Sequence, residues 1–292
     1  MNSDVTVERT DSDLGSFITC AWTPAAGHAL RGIVDRIWYF SGTMTHRRER
    51  TFPNGLVEII VQLDEPHRPI EPEPGGPFPS VCVTGVHRQS TLIEAPAGAC
   101  RVLGIRLNPA AAWSLFRWTP AGTLDQTLDL REFTGRAAAE LAGRCASSPD
   151  ARTCVLRAAA WIAERAFDND VRDARIAWVV SRLRADGPAP IATLMNDVGL
   201  GASRFTQLFR DQVGVSPKRY ARITRFSRTL VAIKSGAPLA AVAADFGYTD
   251  QSHLTAEFRE HAGFTPSAYV RALSYGGGSL AEADNVVIAG FS

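Results

Sequence analysis

Phe209-Arg210-Asp211-Gln212-Val213-Gly214-Val215-Ser216-Pro217 returns 49 residues later as Phe258-Arg259-Glu260-His261-Ala262-Gly263-Phe264-Thr265-Pro266. Tyr220 then matches Tyr269 and Arg222 matches Arg271; backward, Phe205 matches Leu254 and Thr206 matches Thr255. Further upstream Gly199-Leu200 answers Gly247-Tyr248, at an offset changed by one. A repeat of this kind marks two copies of one supersecondary unit.

Each copy has the grammar of a helix-turn-helix. Ile191, Leu194, Met195 and Val198 give the first copy an apolar helix, and Leu239, Val242, Ala243 and Phe246 give the second its counterpart. Gly199 and Gly247 fit the left-handed position that ends a helix. A second helix follows each turn. Gly201 stands at the capping position of the first, and Thr249 can cap the second, with Asp250 favouring the positive end of the helix dipole. Phe205, Leu208 and Phe209 form an inward stripe, as do Leu254 and Phe258. Ser203, Arg204, Thr206 and Gln207, with Gln251, Ser252, His253 and Thr255, are left outward. Amide, hydroxyl and guanidinium groups near a helix N-terminus can bond base edges in a major groove.

Between the copies the pattern predicts a helix from Pro217, capped by Ser216, to about Lys234. Eighteen residues span roughly 27 Å, against roughly 34 Å between successive major grooves on one face of a duplex. Arg210, Lys218, Arg219, Arg222, Arg225 and Arg259 are candidate phosphate contacts. The charge distribution agrees. Residues 171–273 hold 14 Arg and Lys against 8 Asp and Glu, whereas residues 1–170 hold 17 against 20. A basic third on an acidic body fits a nucleic-acid partner, although a solvated basic face on a structural helical array gives the same count.

Upstream, residues 17–133 read as a β-rich barrel or sandwich. Ile33 to Phe40, Leu56 to Leu63, Val81 to Thr84 and Val102 to Leu107 have strand composition, and Phe52-Pro53-Asn54-Gly55 signals a turn. Residues 66–79, with six prolines and two glycines, read as a loop. Helical spacing begins at Pro109 and continues through Ala137–Cys145, Ala151–Phe167 and Arg172–Arg184. The expected organisation is an N-terminal tail over 1–16, a β-rich domain over 17–133, a helical connector over 134–170, a double helix-turn-helix over 171–273 and a flexible tail over 274–292. The class is thus α+β and multidomain: a sensing barrel, a connector and an all-α reader with a long linker helix.

The reader resembles the AraC/XylS family of bacterial regulators. The residues that carry the resemblance run from Gly199 to Phe205, Phe209-Arg210 and Gly214 to Pro217, and then from Phe246 to Leu254, Phe258-Arg259 and Gly263 to Pro266. The resemblance implies two reading helices in adjacent major grooves and base-edge roles for Ser203, Arg204, Thr206, Gln207, Gln251, Ser252, His253 and Thr255. Gly201, where a capping Ser or Thr is usual, and Ala256, where a long polar side chain is common, depart from the pattern. Trp38-Tyr39-Phe40, Phe52 to Glu58, Gly85 and Gly104 to Pro109 resemble more loosely the β-rich domain that precedes this reader in some such regulators, which implies ligand sensing or dimerisation.

The expected partner is double-stranded promoter or operator DNA. The reading also admits RNA polymerase, a small-molecule effector and a second copy of the chain. Trp38, Tyr39, Glu58, Arg106 and Trp113 are candidates for an effector pocket, or else the aromatics are core and Glu58 and Arg106 are surface residues or paired with each other. No catalytic residue is assigned. Gly-x-Ser-x-Gly, His-Glu-x-x-His and a Gly-rich phosphate loop are missing from the sequence. Two rivals stand beside the DNA reading: a ligand-binding protein whose helical half binds other proteins, and a DNA-recruited enzyme using the barrel. Five unpaired-looking cysteines and scattered histidines suggest no metal and no cofactor. With no membrane-length apolar run and no signal-like N-terminus, the expected location is cytoplasmic.

Overall fold

The computed structural model describes residues 5–13, 15–116, 120–166, 173–185, 190–274 and 286–287. The chain opens with β1 (Val5–Ser12), β2 (Gly15–Trp22), β3 (Val34–Met44), β4 (Arg48–Thr51), β5 (Val57–Gln62) and β6 (Arg68–Glu71). Then come β7 (Val81–Thr84), β8 (Thr91–Glu94), β9 (Cys100–Leu107), helix α1 (Pro109–Phe116), a 3-10 turn at Pro120–Thr123 and β10 (Thr127–Asp129). The helices that follow are α2 (Arg131–Thr134), α3 (Arg136–Ala146), α4 (Ala151–Ala166), α5 (Ala174–Arg184), α6 (Ile191–Asp197) and α7 (Ala202–Val213). The last elements are α8 (Pro217–Lys234), α9 (Leu239–Asp245), α10 (Gln251–Ala262), α11 (Pro266–Ser274) and β11 (Val286–Val287).

Two sheets form the β domain, in the orders β1-β2-β3-β9-β5-β7-β10 and β11-β4-β8-β6. The pairings are antiparallel. Strand alternation splits the large sheet into two faces. Ile37 and Tyr39 on β3, with Ile59, Val61, Leu103 and Ile105, join the main core, while Trp38, Phe40, Ile60 and Val102 belong to a second cluster between the sheets. Strand β9 is buried on both faces, which explains its near-continuous apolar run.

The expected N-terminal tail is instead a strand over Val5–Ser12, paired along its length with Gly15–Trp22. Its polar, mostly exposed sequence fits a sheet edge, where only one ladder has to form. The Pro-rich segment also contains a short strand, β6. Edge position lets Pro69 sit there without costing a ladder bond, and Arg68 anchors it through an ion pair with Glu94. The segment expected as a helical connector packs on the β domain. Helices α3 and α4 pack on the large sheet as its outer layer. The end of the segment expected at Phe167, the break at Asp186-Gly187-Pro188-Ala189 and most of the 274–292 tail lie outside the described residues. Within that last segment Val286–Val287 pairs with β4.

The helical half is organised around α8. Ser216 caps it through Arg219 N at 3.4 Å, with Pro217 in the first turn. Tyr220, Ile223, Phe226, Leu230 and Ile233 are buried along one stripe. The first half of that stripe belongs to the main core, which runs from the barrel through α3–α5 into α7. The second half belongs to a separate core with α9, α10 and α11. The two units end their second helices alike. Gly214 at φ 87° and Gly263 at φ 86° are left-handed caps whose N–H groups bond Arg210 and Arg259 carbonyls. A side chain at either position would be strained, which accounts for the repeated glycine.

Candidate nucleic-acid interface and effector cavity

Helices α7 and α10 present the sequence-predicted base-reading face to solvent. Ser203, Arg204, Gln207, Gln251 and Ser252 are exposed, and Thr206, His253 and Thr255 are half-buried. Phe205, Phe209, Leu254 and Phe258 point inward and are fully buried. The first helix starts at Gly201 with no side-chain cap. The second starts at Asp250, not Thr249: the Asp250 carboxylate accepts from His253 N at 2.7 Å. Thr249 N instead donates to His253 Nδ1 at 3.2 Å, and the imidazole stands edge-on to Tyr248. These contacts fix the His253 ring from its Nδ1 side. Thr255 donates its hydroxyl to the Gln251 carbonyl at 2.8 Å, so the oxygen's lone pairs and the methyl group are what it leaves outward.

The expected phosphate contacts divide into two sets. Arg210, Lys218, Arg219 and Arg259 are exposed. Arg222 and Arg225 are engaged inside the molecule by Glu257, whose side chain is 2% exposed. Arg225 grips it with two bonds, 2.9 Å to Oε1 and 2.6 Å to Oε2, bonds the Gly247 carbonyl at 3.2 Å and lies 4.5 Å over the Tyr248 ring. Arg222 bonds Glu257 at 2.9 Å and also pairs with Glu260. Burial pushes the Glu257 pKa up, but the bonds from Arg225 and Arg222 outweigh it and hold the carboxyl below its ordinary range. The arrangement is a strut. It fixes α10 against the linker helix. The sequence showed two arginines on α8 but not the buried acid 35 and 32 residues away that claims them.

In the β domain, a cavity of about 190 Å³ lies between the two sheets, walled by residues of β2–β5 and β7–β10. Of the five pocket candidates, Trp38, Tyr39 and Glu58 line it, and Arg106 does not. Trp38 Nε1 donates to Glu58 Oε1 at 2.6 Å, and Arg106 Nε donates to the same oxygen at 3.1 Å. Arg106 is buried and paired with Glu58. Tyr39 turns its ring to the opposite face of β3, into the main core. The Trp113 side chain lies outside the described residues. Sequence reading missed Gly104. A Cβ there would stand 2.1–2.4 Å from the Trp38 indole, so the ring lies flat over β9. It also missed His67 and His87, which line the cavity and which burial holds below the usual histidine pKa, His67 to about 4.

Two segments of the cavity wall also hold the reader. Thr51 to Asn54 and Leu56 line the cavity, yet Phe52 is buried in the core of the second unit, 5.8 Å from Tyr269 and 6.3 Å from Phe226. Tyr220 on α8 donates to the Gly55 carbonyl at 2.9 Å. His87 and Gln89 line the cavity. Beside them Ser90 donates to the His261 and Ala262 carbonyls at 2.7 and 2.8 Å, and His261 Nδ1 donates to the Arg88 carbonyl at 2.6 Å.

Residues 194–272 match the family model described as a helix-turn-helix domain. Over 104 residues the chain is 32% identical to the arabinose operon regulatory protein of Escherichia coli and, equally, to that of Salmonella typhimurium. The C-terminal domain is similar to those of these arabinose operon regulators. The match covers 35% of this chain and 35–36% of those relatives, so the chain spans about a third of their length. Ahead of the helix-turn-helix domain, residues 23–129 match a domain of unknown function (DUF6597). A crystal structure of ToxT from Vibrio cholerae, bound to (E)-4-(8-methylnaphthalen-1-yl)but-3-enoic acid, is similar over 80% of this chain and 98% of its own, with 12% identity and a TM-score of 0.45. The AraC-like transcriptional activator CuxR is similar over 80% and 89%, with 15% identity and a TM-score of 0.33. Likeness at those levels carries no functional inference. Among the described residues no helix is long and apolar enough to cross a membrane.

Proposed function

We propose that this protein is a sequence-specific DNA-binding transcription regulator whose reader is controlled by a small effector held in the barrel cavity. The observation that carries the DNA reading is the pair of chemically matched helices, α7 and α10, with polar side chains exposed on each and α10 tied to the linker helix by the Arg225–Glu257 strut. Ser203, Arg204, Thr206 and Gln207, with Gln251, Ser252, His253 and Thr255, would meet base edges. Arg210, Lys218, Arg219 and Arg259 would meet phosphates. Arg222 and Arg225 act through positioning. The effector reading rests on the two wall segments that continue into contacts with α8, α10 and α11, so that filling the cavity bears on how the reader is held.

Selection of duplexes from a random pool by the full-length protein tests the proposal. The expected product is a site with two short conserved blocks about ten base pairs apart, one helical turn. Binding should fall steeply with salt. Recovery of no preferred sequence would overturn the reading.

A further inference from the structure

We propose that the cavity takes a flat ring compound carrying a hydroxyl or amino hydrogen-bond donor and no anionic group, which lies on the Trp38 indole and donates to Glu58 Oε2. This rests on the effector-cavity reading above.

The platform comes first. With Gly104 beneath it, the indole lies against the backbone of β9, not upright in the cavity, and a ligand meets its outer face. Indole faces favour offset stacking with other rings. Phe40, Ile60, Phe78 and Val102 supply apolar wall around it. The volume suits the assignment: a cavity of roughly 150 Å³ already accommodates benzene, and this one is about 190 Å³.

The acceptor lies at the edge of that platform. The indole N–H and the Arg106 guanidinium both bond Glu58 Oε1, which leaves Oε2 to the cavity, and the Glu58 side chain is 20% exposed. A carboxylate oxygen can only accept, so what it selects is a donor.

The charges decide the rest. Arg106 is committed to Glu58. Arg47, at the cavity wall, donates to the Ala95 carbonyl at 2.9 Å and lies 3.8 Å from Glu94. Glu49 adds a second, buried carboxylate. His67 and His87 are kept neutral by burial. The Gln62 amide oxygen is held by His67, through its backbone N–H at 2.6 Å and its Nδ1 at 3.0 Å. Among the described lining residues an anion would therefore meet the Glu58 and Glu49 carboxylates, while the one arginine, Arg47, is already bonded to Ala95 and faces Glu94.

Four matched probes test this by calorimetric titration of the full-length protein: phenol, aniline, toluene and benzoate. Phenol and aniline should bind saturably. Toluene should bind about tenfold more weakly, the size of one hydrogen bond to a charged acceptor, and benzoate more weakly than toluene. In Glu58→Gln the preference for phenol over toluene should collapse while toluene still binds, which shows the cavity intact. Gly104→Ala, which drives the indole into the cavity, should weaken every ring. If toluene or benzoate binds as tightly as phenol, or the preference survives in Glu58→Gln, the donor assignment is overturned and the effector-cavity reading stands. If none of the four binds, the effector-cavity reading itself falls.

Discussion

The Tyr220 hydroxyl donates to the Gly55 carbonyl at 2.9 Å, across 165 residues of sequence. Tyr220 is fully buried on the linker helix, edge-on to Phe209. Gly55 closes the turn whose neighbours wall the cavity. One hydrogen bond thus joins the element that spaces the two reading helices to the element that a bound ligand would touch.

Tyr220→Phe should keep the ring packing and lose this bond, leaving the Gly55 carbonyl without its partner. The expected cost is about 1–2 kcal/mol, read from urea denaturation followed by both tryptophan fluorescence and circular dichroism. An unchanged midpoint would mean that the contact does not hold the two halves together.

Glu257 should prove to be a stability residue inside a DNA-binding domain. Replacing it by Gln leaves two arginines without their buried acid. Because Arg222 and Arg225 are partly exposed, at 32% and 19%, the expected loss is about 2–3 kcal/mol, at or below the low end for a fully buried pair. The comparison that matters is with Lys218→Ala, which should leave the denaturation midpoint nearly unchanged.

DNA affinity measured against salt should sort the basic residues the same way. Lys218→Ala should weaken binding to all sequences evenly and reduce the salt slope by about one. Gln251→Ala should keep the slope and relax preference at one base pair by about 1–3 kcal/mol. Arg225→Lys should change neither slope nor base preference directly, and should lower affinity only as far as the second unit loses its position. A drop of about one in slope for Arg225→Lys would restore it to the phosphate-binding set.

Stability should fall with acid in two steps. Burial lowers the pKa of His261, His87 and His67, the last to about 4. The unfolded chain takes up these protons from about pH 6.5 downward, where the folded chain does not, so stability is full above that pH and declines as pH falls towards the folded values. Glu257 is depressed by its arginines despite burial, so its contribution is lost later, from about pH 4.3 downward. Denaturation midpoints across this range should show the first step shrink in His261→Gln and the second shrink in Glu257→Gln.

The helical half was legible because its information is local. Apolar spacing, capping glycines and Ser216-Pro217 each lie within a turn of the element they define, and the repeat printed them twice. The barrel was legible in its central strands, where burial on both faces leaves apolar runs such as Val102–Leu107. Its edges were not. The polar β1 has no inward face to betray it, and β6 hides among prolines that only an edge tolerates. The cavity was half legible: Trp38, Glu58 and Arg106 could be named, but the meaning of Gly104 depends on an indole from the neighbouring strand. The strut was illegible for the same reason. Its arginines read as phosphate ligands until a carboxylate from another helix is placed beside them.

Phe52 has one further consequence. It belongs by sequence to the β domain and by packing to the core of the second helix-turn-helix, among Phe226, Phe264 and Tyr269. Grafting this reader onto a sensor borrowed from a relative would therefore leave a vacant socket in the reader unless the donor's turn carried an aromatic of the same size at the same reach. The two halves can be inherited together or altered in matched steps, but they are poor candidates for free exchange, and swaps that ignore this one side chain should fail on the DNA-binding side of the seam.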